Sequence, residues 1–186
     1  MTPFDQEFWE DRYRSAHQHV WSGEPNRNLV TEVAGLRPGV ALDAGTGEGA
    51  DAIWLASQGW QVKAVDFSAT ALERAAARSS EVDWEQADLT TWTPEPAAYD
   101  LVSAQFIHLA GLSEVVPRLG TAVRPGGILL VVGHQRAEGH PFPELCYPAK
   151  EMAGWLDDGW EILIAGTRPG REPTRDDEVL KARRLS

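Results

Sequence analysis

Seven consecutive residues, Asp43-Ala44-Gly45-Thr46-Gly47-Glu48-Gly49, combine three glycines with two carboxylates, and Asp66 follows 17 positions past the last glycine. Alternate glycines let a chain turn tightly and let its backbone approach a ligand with no Cβ in the way. An acidic residue at about that distance is placed to accept hydrogen bonds from ribose hydroxyls. Together these features point to an adenosine-containing cofactor, and charge narrows the choice. A dinucleotide sets its pyrophosphate on such a loop and asks for the spacing G-x-G-x-x-G. This chain has G-x-G-x-G, with Asp43 and Glu48 on the loop. An anion is repelled there and a cation is welcomed. That favours S-adenosylmethionine, which brings a sulfonium and an ammonium but no phosphate, over a nicotinamide or flavin dinucleotide. The P-loop pattern G-x-x-x-x-G-K-[ST] is absent from the sequence.

These residues need a frame. Residues 40–43 form a short apolar run that ends in a carboxylate, and the glycines come next. Ala50, Ile53, Trp54 and Ser57 then recur at i, i+3, i+4 and i+7, one face of a helix, with Gly59 as its C-cap. Val62, Ala64 and Val65 predict a second strand closing on Asp66, and Ser68 is an N-cap for the helix carrying Leu72, Ala75 and Ala76. Further strands are expected at 82–86, 101–105 and 128–132, with a helix over 114–123 that ends at Pro125-Gly126-Gly127. A helix over 150–156 and strands at 161–165 and 178–182 complete the pattern. Strand–helix alternation with short links implies crossovers and a mostly parallel sheet covered on both faces. The last two strands, joined by the polar stretch 166–177, are expected to pair antiparallel at one edge. Residues 1–37 carry Phe4, Phe8, Trp9, Tyr13 and Trp21 and are expected to form a helical flap over the ligand-bearing end of the sheet.

Composition excludes several classes of function. A length of 186 residues predicts one domain spanning 1–186, with about 70% of its surface hidden on folding. Seventeen basic against 28 acidic residues give a net charge of −11, which repels phosphate backbones and anionic lipid, so no nucleic-acid and no membrane partner is expected. The single Cys146 suits a reducing cytoplasm, and no signal peptide or membrane-length apolar run is read from the sequence. No carboxylate cluster with Mg²⁺-ligand spacing stands after the fourth strand, and no metal is expected. His108 and His134 follow the fourth and fifth strands and are candidates for contact with a substrate, together with Phe106. His140 sits in a proline-rich loop, and His17 and His19 lie on the flap. Any histidine is competent as a base near neutral pH, but none stands in a His–carboxylate pattern that marks a dedicated relay, so no catalytic residue is assigned.

With these residues in view, the chain resembles the class I S-adenosylmethionine-dependent methyltransferases over nearly its whole length. Asp43-Ala44-Gly45-Thr46-Gly47-Glu48-Gly49 matches that family's glycine motif, with Thr46 where cysteine is frequent. Asp66-Phe67-Ser68 matches the ribose motif. Ala87-Asp88-Leu89 matches the segment whose Asp meets the adenine amino group. The stretch from Tyr99 to Gln105 matches the motif beside the methionine moiety, and Arg124-Pro125-Gly126-Gly127 matches the turn before the fifth strand. The resemblance implies a Rossmann-like, doubly wound seven-stranded sheet of order 3-2-1-4-5-7-6. It further implies cofactor contacts from Asp43, Ala44, Gly45, Thr46, Gly47, Asp66, Phe67, Ser68, Ala87, Asp88, Leu89 and Gln105. Phe8-Trp9-Glu10-Asp11-Arg12-Tyr13 and Val20-Trp21-Ser22-Gly23-Glu24-Pro25-Asn26 are similar to small bacterial methyltransferases of the tellurite-resistance and thiopurine types. That similarity implies a flap contact from Trp21 to the cofactor. Trp21 has a second reading as an aromatic anchor of the flap, and both hold together. The function implied is methyl transfer to a small acceptor: a thiol, a chalcogen anion or a phenolic metabolite. A non-catalytic cofactor-binding module, or a subunit that needs a partner, uses the same loop and stays open.

Overall fold

The computed structural model describes residues 6–17, 19–136, 140, 142–171 and 175–186. Phe4 lies outside the described residues. The architecture is a seven-stranded sheet of order β3-β2-β1-β4-β5-β7-β6, which is the expected order. The strands are β1 (Val40–Ala44), β2 (Gln61–Asp66), β3 (Val82–Gln86), β4 (Tyr99–Gln105), β5 (Val123–His134), β6 (Trp160–Pro169) and β7 (Asp176–Arg184). The first five run parallel, and β7 is antiparallel to both of its neighbours. Strand order reverses between β1 and β4, so a crevice opens beyond their carboxyl ends.

Both faces of the sheet are dry because the apolar runs are nearly continuous. Leu42, Leu129 and Val131 point to one face and pack with α5 (Leu112–Gly120) and α6 (Ala149–Ala153). Ala41, Leu130 and Val132 point to the other and pack with α2 (Arg27–Val33) and α3 (Ala50–Ser57). Alternation within one strand thus feeds two cores, as period 2 requires. The amphipathic α4 (Ala69–Arg78) buries Ala71, Leu72 and Ala75, and Ser68 caps it by accepting from the Ala71 N–H at 3.1 Å. Among the described residues, no helix is long and apolar enough to cross a membrane.

The N-terminal segment divides. The helix α1 (Gln6–Ser15) and the loop after it lie over the carboxyl end of the sheet, whereas α2 brings only its first residue, Arg27, to the cavity. Asn26 caps α2 by accepting from the Asn28 and Leu29 N–H groups, and Leu29 and Val33 are buried in the sheet's core. Within the N-terminal helical segment, α1 and the loop after it cover the cavity while α2 packs mainly on the sheet. The reason is the apolar pair Leu29 and Val33 at i, i+4, which has a core face to bury.

Candidate functional site

The turn after β1 is built to be crowded from three sides. The Gly45 and Thr46 N–H groups donate to the Val65 carbonyl, at 2.8 and 3.1 Å, which ties the turn to the end of β2. Gly47 has φ +54°, and a Cβ there would lie 2.8 Å from the Tyr13 hydroxyl of the flap. Gly49 has φ +77°, and a Cβ there would lie 2.5 Å from the Trp84 ring and 2.9 Å from Ala75. One glycine admits the flap and the other admits α4 and β3. Both combine a left-handed backbone with a close approach that only glycine tolerates.

A cavity of about 890 Å³ opens beyond this turn, within the range of small-molecule sites. The glycine-loop residues Asp43, Gly45, Thr46 and Gly47 line it, as do Asp66 and Phe67 after β2. Ala87, Asp88 and Leu89 after β3 and Gln105 at the end of β4 contribute another part. Phe106, His108 and His134 form its far end, and Trp21 closes it from the flap. Two expected residues do not reach the wall. Ala44 is buried in the core, and Ser68 is spent on capping α4 and on donating to Glu10 at 2.6 Å. A strand alternates its side chains, so Ala44 points away from the face that Asp43 serves.

The electrostatics of the wall differ from the sequence reading in one respect. Glu48 does not face a ligand as a free carboxylate. It is buried, and its Oε1 takes the Arg74 Nη1 at 2.9 Å while its Oε2 accepts the Val20 and Trp21 N–H groups at 3.0 and 3.3 Å. Arg74 also donates to the Tyr13 and Ala16 carbonyls, at 2.8 Å each. Glu48 and Arg74 therefore lock the flap to the glycine loop. Spacing along the chain carries no sign of this, because the partners come from three separate elements.

Asp43, Asp51 and Asp66 bring buried carboxyls to a wall that also carries Glu24, Asp88 and Asp177, and sequence reasoning missed Asp51. Burial pushes the carboxyls of Asp43 and Asp51 well above the usual carboxylate range, and Asp51 adds to the shift of Asp43. Burial raises Asp66 as well, against hydrogen bonds to its carboxylate. Those bonds come from the Gly47 N–H to Oδ2 at 2.8 Å and the Ser68 N–H to Oδ1 at 2.9 Å. Asp66 thus shapes the loop while it faces the cavity. Thr46 donates to Asp43 at 2.6 Å. Gln105 donates to Ser103 at 2.9 Å, and its buried Oε1 has no protein partner. An orphaned acceptor beside raised carboxyls fits a cationic hydrogen-bond donor and does not fit a phosphate.

The flap and far end are aromatic. Trp21 donates from its indole N–H to the Tyr13 hydroxyl at 3.0 Å and stays 46% exposed, so it is both the anchor and part of the cavity lining. The Arg12 guanidinium lies 5.4 Å from the Trp21 ring centre. Phe106 holds φ +51°, an uncommon backbone for a non-glycine residue, and its ring stacks on His134 with centroids 4.4 Å apart. His108 stacks between Trp9 and His134, at 6.1 and 5.3 Å. Burial, with neighbouring His134 and His140, pulls His108 down to about 4. Arg27, Arg171 and Arg175 also line the cavity and were not singled out by motif.

Comparison with known proteins places this geometry in company. A family model described as a methyltransferase domain matches residues 41–127. Over 129 residues the chain is 31% identical to a trans-aconitate 2-methyltransferase of Paracidovorax citrulli, covering 67% of this chain and 46% of that protein. It is 38% identical over 108 residues to an uncharacterised methyltransferase of Mycobacterium tuberculosis, covering 56% and 55%. The chain thus spans about half the length of these curated relatives. A solved structure from work on the conversion of a disulfide bond into a thioacetal group during echinomycin biosynthesis superposes with a TM-score of 0.75. It has 24% identity and covers 97% of this chain and 93% of that one, a likeness of fold.

Proposed function

We propose that this chain is a class I S-adenosylmethionine-dependent methyltransferase and transfers a methyl group to a small-molecule acceptor. The observation that carries the reading is the cavity wall of Asp43, Asp51, Asp66 and the unpartnered Gln105 Oε1, built for a cation. In this reading Asp66 receives the ribose hydroxyls with Phe67 and Ser68 behind it, and Ala87-Asp88-Leu89 receive the adenine. Asp43, Gly45, Thr46 and Gly47, with Gln105, face the methionine end, and Trp21 covers it. When bound, the cofactor supplies a methyl group already activated by its sulfonium. What is left to the protein is alignment and the exclusion of water. The flap, locked by Glu48 and Arg74, performs the exclusion. Phe106, His108 and His134 hold the acceptor at the far end, and His108, held neutral by its burial, binds by hydrogen bonding or packing.

The acceptor we favour is anionic as it reacts, a thiolate, chalcogen anion, phenolate or carboxylate. Arg27, Arg171 and Arg175 on the cavity wall support that charge, and the relatives that act on trans-aconitate suggest the carboxylate. The kinship with tellurite-resistance and thiopurine enzymes rests on the flap motif alone, whereas curated relatives such as those of Paracidovorax citrulli and Methylobacterium radiotolerans are trans-aconitate 2-methyltransferases. We read residues 1–186 as one methyltransferase domain working in the cytoplasm.

Two measurements test the proposal. A ligand that binds only the folded state adds about 2.7 kcal/mol at a hundredfold excess over Kd. S-adenosylhomocysteine is expected to raise the melting temperature, and NAD is not. A shift with NAD alone overturns the cofactor assignment. Label from methyl-labelled cofactor is then expected to appear in a small molecule of a metabolite extract. Cofactor binding with no transfer to any thiol, phenol or carboxylate leaves the non-catalytic module as the reading.

A further inference from the structure

Three of the five histidines converge at the acceptor end of the cavity although they come from separate parts of the chain. His108 follows β4, His134 ends β5, and His140 lies in the loop beyond it. One ring nitrogen from each falls within 4.8 Å of the others. The ring centres of His134 are 5.3 Å from those of both neighbours, and His108 and His140 are 6.5 Å apart. All three are half-buried, and Trp9, Phe106 and Phe142 pack around them.

We propose that His108, His134 and His140 form a three-histidine site for a divalent transition metal of the zinc type, its remaining coordination position open to the acceptor. Tetrahedral metal–nitrogen bonds of about 2.0–2.1 Å set ligand nitrogens about 3.3 Å apart. The rings reach that spacing by closing at most about 1.5 Å, a side-chain rotation with no change of fold. Imidazole suits zinc, iron, nickel and copper, whereas the absence of carboxylate from the trio argues against magnesium or calcium. Three protein ligands and one open position are the arrangement of catalytic rather than structural zinc.

The surroundings of His140 specify a cost. Its Nδ1 now accepts the Phe142 N–H at 3.1 Å and lies 3.4 Å from the Cys146 sulfur. Ligation through Nε2 requires a proton on Nδ1. That proton breaks the Phe142 contact and is donated to the sulfur or to a carbonyl, as the outer partner of a metal-bound histidine commonly is. Ligation through Nδ1 displaces the same N–H. His140 and Phe142 therefore move relative to each other on loading.

A metal in this place defines the acceptor class more narrowly than the cavity does, and that part rests on the methyltransferase reading. It selects an acceptor with an oxygen or sulfur atom that enters the open position. The acceptor's proton leaves to solvent on ligation, because a metal ion lowers the pKa of a bound group. That accounts for a site whose sequence has no dedicated base.

The test uses the full chain, prepared without a histidine tag, stripped with chelator and titrated with Co²⁺ and with Zn²⁺ in the absence of cofactor. One ion per chain is expected, with the intense visible absorption of four-coordinate Co²⁺, displaced by Zn²⁺. His134→Ala and His140→Ala are each expected to weaken Zn²⁺ binding at least a hundredfold, while His17→Ala and His19→Ala leave it unchanged. The thermal shift given by S-adenosylhomocysteine verifies that each variant is folded. No stoichiometric binding to the wild-type chain, or equal binding by folded His134→Ala and His140→Ala, overturns the proposal. A normal metal titration with no S-adenosylhomocysteine shift leaves the metal site standing and removes the cofactor reading instead.

Discussion

Replacing Glu48 by alanine is expected to free the flap while leaving the sheet folded. The carboxylate is 4% exposed and gathers the Arg74 guanidinium and the two amides of Val20 and Trp21. Breaking a buried ion pair costs about 3–5 kcal/mol when the partner is stranded. Here Arg74 is 24% exposed and keeps its bonds to the Tyr13 and Ala16 carbonyls, so the lower half of that range applies. We expect about 3–4 kcal/mol, concentrated in residues 19–23, because α1 retains its own ties from Glu10 to Ser68 and Thr70. At about 1.4 kcal/mol per decade, amide exchange at Val20 and Trp21 accelerates by roughly 140- to 700-fold. Amides of β1 and β4 keep their protection. Glu48→Gln, which retains an acceptor for the two amides, falls between. Hydrogen exchange resolved to single residues reads all of this. Unchanged protection at Val20 and Trp21 in Glu48→Ala would falsify the lock.

Other expectations follow from the same wall. Asp66→Ala removes the carboxylate partner of two buried N–H groups, each worth about 1–3 kcal/mol, so it lowers the melting temperature and also weakens cofactor binding ten- to a hundredfold. Calorimetry with wild-type affinity in that variant moves the ribose elsewhere. Gly49→Ala meets Trp84 and Ala75 at a positive φ and is expected to cost about 2–4 kcal/mol by overpacking and strain, read by chemical denaturation. Asp177 is raised to about 6 chiefly by burial, against the bond from Asn28. An acid with a raised folded pKa binds more protons folded than unfolded. Its contribution is present below about 4 and is lost as pH rises through about 6, and Asp177→Asn flattens the stability profile in that window. Binding of a cationic cofactor draws Asp43 and Asp51 back toward ionisation. Calorimetry in buffers of different ionisation enthalpy is therefore expected to find proton release, and no buffer dependence refutes it.

The sheet was legible because its signals are local. Val62, Ala64 and Val65 ending on Asp66, or Ala50 to Ser57 on one helical face, depend only on near neighbours, and helix α3 has the expected bounds. Strand ends were less so. β5 runs from Val123, through the Pro125-Gly126-Gly127 turn where the helix was expected to end, because Val123 pairs with Tyr99 of β4. The site divides in the same way. Residues named from one short run per strand, Asp43, Gly45, Thr46 and Gly47 and then Ala87 to Leu89, line the cavity. Asp51, the Glu48–Arg74 lock and the convergence of His108, His134 and His140 each depend on which elements meet in space. Ala44 and Ser68 were placed on the wall by motif. Strand alternation and helix capping turn them away from it.

The buried carboxyls of Asp43, Asp51 and Asp66 on the cavity wall also bear on how product would leave in the proposed reaction. Methyl transfer cancels the sulfonium charge, so the spent cofactor presents one positive charge fewer to Asp43, Asp51 and Asp66 than the fresh one did. At an effective dielectric constant of about 20, opposite unit charges about 4 Å apart attract by about 4 kcal/mol, less whatever proton uptake recovers. A part of that suffices to favour reactant over product ten- to a hundredfold at the same site. In that reaction the wall would act as a ratchet, with departure of the exhausted molecule accompanied by reprotonation of the aspartates it leaves behind.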